Sequence, residues 1–442
     1  MRIVLLTAGS RGDVEPYVAL GAGLRRAGHE VRLATHDGFR DLVARHGLEF
    51  AAVPQPPVSL TGTPLWRRWQ RSGAGPARFV RDFARVSRAG RPVVEGMLDA
   101  FWLACDGAGA VISSTSGIGG PLLAEARGAR HCWALLQPTT PTSAHPHFLA
   151  PPWVPPVLNR ASYRLAEQVH WRLFRGQLDE WATRRLGLSR QRGPDPRGFL
   201  GATPDPVLYG ISPLVVPRPP DWGGAVEMCG FWFADPPPGW TPPDELAGFL
   251  GDGRPPVYVH LSRIAARSRP DLLRTVLAAL RRTGLRGLLH AGGEPLAARL
   301  PGTVLAVPSA PHSWLLPRTA AVVHHGGAGT TAAALRAGVP SVGVPGFYDQ
   351  PYWSRRIGAL GIGAEPVPAG RLDADRLASA LVRLTGDAGL RERARAAGAG
   401  VRREDGVRTA VEWLDRHLAG PPSPATPGRV PSSPRGRGDG VR

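Results

Sequence analysis

The chain has 442 residues, enough for two domains of ordinary size, and its 43% hydrophobic share supports packed cores. A formal net charge of +19 suggests a nucleic-acid binder, but all 54 basic residues are Arg, none is Lys, and they are spread through a chain rich in Ala, Gly and Pro. That is the mark of a GC-rich genome; with no nucleic-acid module visible, nucleic acid is set aside as a partner.

Residues 2–7 (RIVLLT) read as a buried strand, too short and too weakly basic at its start for a signal peptide. The turn AGSRGD over 8–13 leads to a helix over 15–27 with Val18, Leu20 and Leu24 along it, then a strand over 31–34. This βαβ start lacks the G-x-G-x-x-G of a dinucleotide site. Asp13 reads either as the N-cap of that helix or as a general base at the C-terminal edge of the sheet.

Residues 48–64 are Pro- and Thr-rich and read as a loop. Trp66 and Trp69, interleaved with Arg67, Arg68 and Arg71, read as a solvated helix face or as a contact with a membrane surface or acidic acceptor. Strands are expected over 110–114 and 132–137. The Pro/His-rich loop 138–156 follows; its His145 and His147 have no carboxylate or Cys nearby and read as packing residues. An amphipathic helix over 163–181 would wall an acceptor site, and a strand over 207–216 would close the first domain. Cys105, Cys132 and Cys229 are too far apart for a disulfide framework or a metal-ligand spacing, which points to a reducing cytoplasm.

The Pro-rich segment 217–243 reads as a linker, with a short strand at 227–233. A second domain then opens with a strand over 255–260, a helix over 271–283, and strands over 287–290 and 304–307. Trp314 reads as core packing, with nucleobase stacking as the alternative. The most informative stretch is VVHHGGAGTTAAALRAGVPSVGVPGFYDQPYWSRR over 322–356. It is a strand, glycine turn, helix and strand. Free N–H groups at such a helix start favour phosphate, His325 adds a donor and Thr330 a hydroxyl. Asp349 and Gln350 follow the next strand and suit sugar hydroxyls. Phosphate donors and sugar acceptors one βαβ unit apart suggest a nucleotide-sugar.

Helices are expected over 372–385, 390–401 and 407–418, and the Pro/Gly/Ser/Arg-rich residues 421–442 should be disordered. Asp373 and Asp375 match the D-x-D of metal-dependent transferases, but they sit at a helix start, where acidic residues favour the dipole. No apolar run reaches the roughly 18 residues needed to span a membrane.

HHGGAGTTAAALRAGVPSVGVP…DQPYW resembles the donor-binding signature of family 1 glycosyltransferases, most closely the sterol glucosyltransferase-like and glycopeptide-antibiotic branch. GSRGDVEP near the start, and the stretch from QPTTPTSAHP to NRASYRLAEQVHWRLFR, resemble the same branch. The resemblance implies an α/β GT-B fold of two Rossmann-like domains facing each other across a cleft. The expected division is an acceptor domain over 1–216, the linker 217–243, a nucleotide-sugar domain over 244–404, a helix over 405–420 crossing back to the first domain, and the tail 421–442.

The implied activity is inverting, metal-independent transfer of a hexose from a UDP- or dTDP-sugar to a hydroxyl of a lipophilic or secondary-metabolite acceptor, with no cofactor. The enzyme would be cytoplasmic, with peripheral membrane contact as an extension. Asp13 would be the catalytic base. Arg11, Gly12, Arg263, His325, Gly327, Gly329 and Thr330 would hold the diphosphate, and Asp349 and Gln350 the sugar. The sequence departs from the family where relatives carry a glycine-serine loop: here stand His260, Leu261, Ser262, Arg263 and Ile264. That departure motivates a catalytically impaired binding homologue as the alternative; a nucleotide-sugar epimerase on the same fold is the other.

Overall fold

The computed structural model describes residues 1–55, 85, 90–188, 205–234, 236, 239–261, 271–290, 300–307 and 310–418. Arg263, Trp66, Trp69 and the tail 421–442 lie outside them.

Two parallel sheets organise the chain. The first has the order β3-β2-β1-β4-β5-β6-β7. Its strands are β1 (Arg2–Leu6), β2 (Glu30–His36), β3 (Glu49–Val53), β4 (Ala110–Ser113), β5 (Arg130–Leu135), β6 (Val207–Tyr209) and β7 (Val226–Met228). The second has the order β10-β9-β8-β11-β12-β13, with β8 (Val257–His260), β9 (Gly287–His290), β10 (Val304–Val307), β11 (Ala321–His324), β12 (Ser341–Gly343) and β13 (Gly363–Ala364). Counted from its own first strand, the second sheet runs 3-2-1-4-5-6, the doubly wound order. Central strands such as β1 and β4 are apolar and buried because helices cover both faces.

Around the first sheet lie α1 (Arg11–Arg26), α2 (Arg40–Arg45), α3 (Arg91–Ala104), α4 (Gly120–Arg127) and α5 (Asn159–Leu186). The second carries α6 (Asp244–Gly251), α7 (Leu272–Thr283), the single turn α8 (His312–Leu315), α9 (Ala328–Ala337), α10 (Gln350–Ala359), α11 (Ala374–Gly386) and α12 (Ala388–Arg403). The last helix, α13 (Gly406–Leu418), returns to the first sheet. Its Ala410, Val411, Trp413, Leu414 and Leu418 join Val14, Val18 and Leu20 of α1 in one core. Arg130 Nη1 donates to the His417 carbonyl at 2.8 Å, and His29 Nε2 meets Asp415 Oδ1 at 2.8 Å. The two passages between domains run back to back. A Cβ on Gly406 would lie 2.5 Å from the Phe231 carbonyl oxygen, and Gly230 has φ +96°. Ser212 Oγ ties the return passage by donating to Glu404 Oε1 at 2.7 Å.

Several elements differ from the sequence reading. α1 begins at Arg11, four residues earlier than the expected 15–27, because Ser10 caps it and Pro16 lies inside it rather than in its first turn. β3 replaces the start of a loop; its EFAAV is a half-exposed edge, with little apolar run to betray it. α3 was not anticipated, although Val94, Met97, Leu98 and Phe101 give it a buried helical stripe. β6 stops at Tyr209, and β7, placed within the linker, is the outer strand of the first sheet. α5 is 28 residues long, beyond the expected 163–181.

Loop 138–156 is pinned by Asp221, which accepts from Thr142 Oγ1 at 2.6 Å, from the Ser143 amide at 2.8 Å and from Arg160 Nη2 at 2.8 Å. Its His147 packs in a T against Tyr163, and Tyr163 Oη meets His145 Nδ1 at 2.9 Å. Ser113, His131 and Asp205 form a hydrogen-bonded series, but Ser113 is fully buried and a Cβ on Gly120 would collide with its Oγ. The series is therefore a structural brace. Asp373 caps α11 by accepting from the Arg376 amide. Trp314 packs on Trp240 beneath Arg318. Cys105, Cys132 and Cys229 are buried free thiols. Among the described residues no helix is long and apolar enough to cross a membrane.

Candidate active site

In an open parallel sheet, loops diverge where the strand order reverses, and a crevice forms at the C-terminal strand ends. The first sheet reverses between β1 and β4, the second between β8 and β11. Loops from both reversals line one cleft of 1420 Å³.

On the first-domain wall the turn after β1 is closely braced. Ala8 N donates to Ser116 Oγ at 2.9 Å, and Ser116 Oγ donates back to the Ala8 carbonyl at 2.6 Å. Gly9 has φ +133°, and a Cβ there would lie 2.6 Å from Asp13 Oδ2. Asp13 is not the N-cap of α1 but its third residue. It closes a capping box in which the Ser10 amide and Ser10 Oγ each donate to Asp13 Oδ2 at 2.8 Å. Both bonds take one oxygen, so the carboxylate can cap and still present Oδ1. Burial pushes its pKa up, against the pull of the Ser10 donors and of His36. Arg11 is exposed and paired to Glu15 at 2.9 Å.

The facing wall is the turn after β11. His324 is buried and structural: Gly326 N donates to its Nδ1 at 3.0 Å, and its Nε2 meets Ser341 Oγ at 3.3 Å. Gly326 has φ +84°, and a side chain there would collide with Ser354. Gly327 is the N-cap of α9, and a Cβ on it would lie 2.5 Å from His325 Nε2. A Cβ on Gly329 would lie 3.3 Å from Gly12 Cα, so the two glycine turns face each other across the cleft as bare backbone. Thr330 follows in the first turn of α9 and is buried against the cleft.

Asp349 is buried and joins the two domains: Gln137 Nε2 of the first donates to its Oδ2 at 3.1 Å, and Trp353 Nε1 donates at 3.2 Å. Burial raises its pKa to about 6, with the Gln137 bond opposing and the charge of Asp13 adding. The preceding Tyr348 has φ +59°, a left-handed backbone held by packing of its ring on Phe148. Gln350 Oε1 accepts from the Gly346 amide at 2.9 Å, which leaves its amide nitrogen to serve a ligand.

The structure thus brings Arg11, Gly12, Asp13, His325, Gly327, Gly329, Thr330, Asp349 and Gln350 to one cleft; Arg263 is outside the described residues. Sequence reasoning missed Gln137, and it missed that His260, His290 and His312 join His325 on the same wall. The available signal was an imidazole ending each apolar strand in VYVH and GLLH.

Residues 3–127 match the glycosyltransferase family 28 N-terminal domain, and residues 286–404 match the C-terminal domain of erythromycin biosynthesis protein CIII-like proteins. O-mycaminosyltylonolide 6-deoxyallosyltransferase of Streptomyces fradiae is 39% identical over 432 residues, covering 94% of this chain and 98% of the relative. Sterol 3-beta-glucosyltransferase of Penicillium rubens is 34% identical over 95% of this chain, which spans 30% of that longer relative. Among solved structures, the glycosyltransferase VinC in complex with dTDP superposes with a TM-score of 0.66 at 21% identity, covering 95% of this chain and 99% of its own. The glycotransferase of kitacinnamycin does so at 0.67 and 20%, covering 94% and 99%. With its two doubly wound sheets and a near full-length relative at this identity, the chain belongs to the family 1 glycosyltransferases of the GT-B fold.

Proposed function

We propose that the chain moves a hexose from a UDP- or dTDP-sugar to a hydroxyl of a lipophilic or secondary-metabolite acceptor, with inversion and without a metal. The observation that carries the reading is the meeting of Asp13 on one wall with a glycine-rich helix start, Asp349 and Gln350 on the other. The name of the Streptomyces fradiae relative, with a deoxysugar and a glycosylated lactone acceptor in it, and the dTDP in VinC support the substrate class.

In this reading Asp13 takes the acceptor's hydroxyl proton as that oxygen bonds the anomeric carbon. The bond from that carbon to the diphosphate breaks on the opposite face, and the nucleoside diphosphate leaves. One carboxylate acting in a single displacement inverts the centre. The amides of Gly327, Gly329 and Thr330 at the start of α9, with His325 and Arg11, receive the leaving charge; Arg263 is a further candidate from the sequence. Asp349 and Gln350 orient the sugar hydroxyls.

The test is Asp13→Asn, whose carboxamide oxygen can still accept from Ser10 and keep α1 capped. Donor affinity should stay within a few-fold and transfer in EDTA should fall by about 10²–10⁴. Transfer within a few-fold of wild type would reduce Asp13 to a capping residue.

A further inference from the structure

Four imidazoles gather on the donor wall. His260 ends β8, His290 ends β9, His325 follows β11 and His312 opens α8. β8 lies between β9 and β11, so strand order makes His260 the centre. Its ring centroid is 4.4 Å from that of His290, 5.6 Å from that of His312 and 5.6 Å from that of His325. All four line the cleft beside Gly327, the N-cap of α9. Nδ1 of His260 and Nδ1 of His325 are buried with no hydrogen-bond partner among the described residues. His312 Nε2 meets the Tyr258 hydroxyl at 3.4 Å.

Buried imidazoles with unpartnered nitrogens are costly alone. The same residues line the cleft, where a bound anion would meet their rings. Among the described residues, the charged and titratable groups around them are Arg11 and Glu15 of α1, Tyr258 of β8, and His324 beneath, with Asp13, Arg45, His46, Arg336, Tyr348, Asp349 and Arg402 elsewhere in the cleft. Glu15, which acts on His312, is itself paired with Arg11. No carboxylate among the described residues bonds His260, His312 or His325, and the described residues hold no metal-binding group of His, Cys, Asp and Glu. Burial and mutual repulsion hold His260 well below the ordinary imidazole range and His312 down to about 4; burial also lowers His325. His260, His312 and His325 are therefore uncharged near pH 7.

Resting on the donor-site reading above, we propose that His260, His290, His312 and His325 form a diphosphate cradle that loads protons as the nucleotide-sugar binds. The donor's charge is then matched partly by protons drawn from solvent. One phosphate charge about 4 Å from a partly buried imidazole raises its proton affinity roughly a thousandfold. That exceeds the few-hundredfold depression of His312 implied by a value of about 4. The proton belongs to the cluster rather than to one ring.

The test is titration calorimetry of the full chain with UDP-glucose and dTDP-glucose, in buffer pairs of different ionisation enthalpy. The intact donors are used because the terminal phosphate of a free nucleoside diphosphate titrates near pH 6 itself. At pH 6.5 binding should take up about 0.5–1 proton, and affinity should weaken roughly fourfold by pH 8. His260→Gln and His312→Gln should lose affinity more at pH 6.5 than at pH 8 and lower the uptake. Wild-type binding with no proton exchange and flat affinity overturns the cradle and leaves the donor site standing. No binding of either sugar nucleotide overturns the donor-site reading, and the cradle with it.

Discussion

Asp349 is where a single residue carries a measurable pH signature. Its folded pKa of about 6 lies above the ordinary carboxylate value near 3.9, because burial outweighs the donors from Gln137 and Trp353. The stability this gives is fully present below about pH 4 and is lost as pH rises through about 6, at a cost of order 3 kcal/mol. Asp349→Asn removes the ionisation while its carboxamide oxygen can still accept from both donors. Melting curves should therefore show the variant gaining on wild type by several degrees between pH 4.5 and 7.5. If wild type gains instead, the two N–H donors outweigh burial. Asp349 was legible in the sequence because it follows the strand after a glycine-rich helix start, one βαβ unit on. The imidazole cluster was not: His260, His290, His312 and His325 are far apart in the chain and meet only through strand order. His260 in particular reads as the loss of a small residue until β9 and β11 are placed on either side of β8.

At the scale of elements, α1 and α13 are bound by a missing side chain. Gly23 faces α13, and a Cβ there would collide with Val407 and approach Val411 at 3.3 Å. Gly23→Ala should lower stability by about 1–3 kcal/mol through overpacking, although alanine is the better helix former. Val407→Ala in the same chain should restore most of it, and denaturant unfolding of the single and double variants checks both. Failure of the second change to rescue would mean that the helices separate rather than repack. Elements with a strong local signal, such as the apolar run of β1, the alanine-rich α9 and the amphipathic α13, could be read from sequence alone. β3 could not, since a half-exposed edge strand of five residues has no distinctive pattern. The start of α1 was misplaced because proline favours a helix's first turn, whereas Pro16 sits deeper and the Ser10–Asp13 box sets the start.

For the whole molecule, the two-domain plan followed from chain length and from the family resemblance that the two glycine turns carry, but the strand orders and the facing of Gly12 with Gly329 needed coordinates. The first domain is finished by the far end of the chain. Val411, Trp413, Leu414 and Leu418 bury in its core, worth about 6–12 kcal/mol together, the size of a domain's entire stability. A chain ending before Gly406 should lose the cooperative melt of the first domain and bind a hydrophobic dye; an unchanged melt would make α13 a mere cover. The back-to-back passages at Gly230 and Gly406 have a mechanical consequence. Two tethers crossing at one place act as a door hinge: they let the halves swing about a single line and resist sliding of one past the other. Any opening of the cleft would turn about that line, and the register of Asp13 against the glycine turn would be kept on closing.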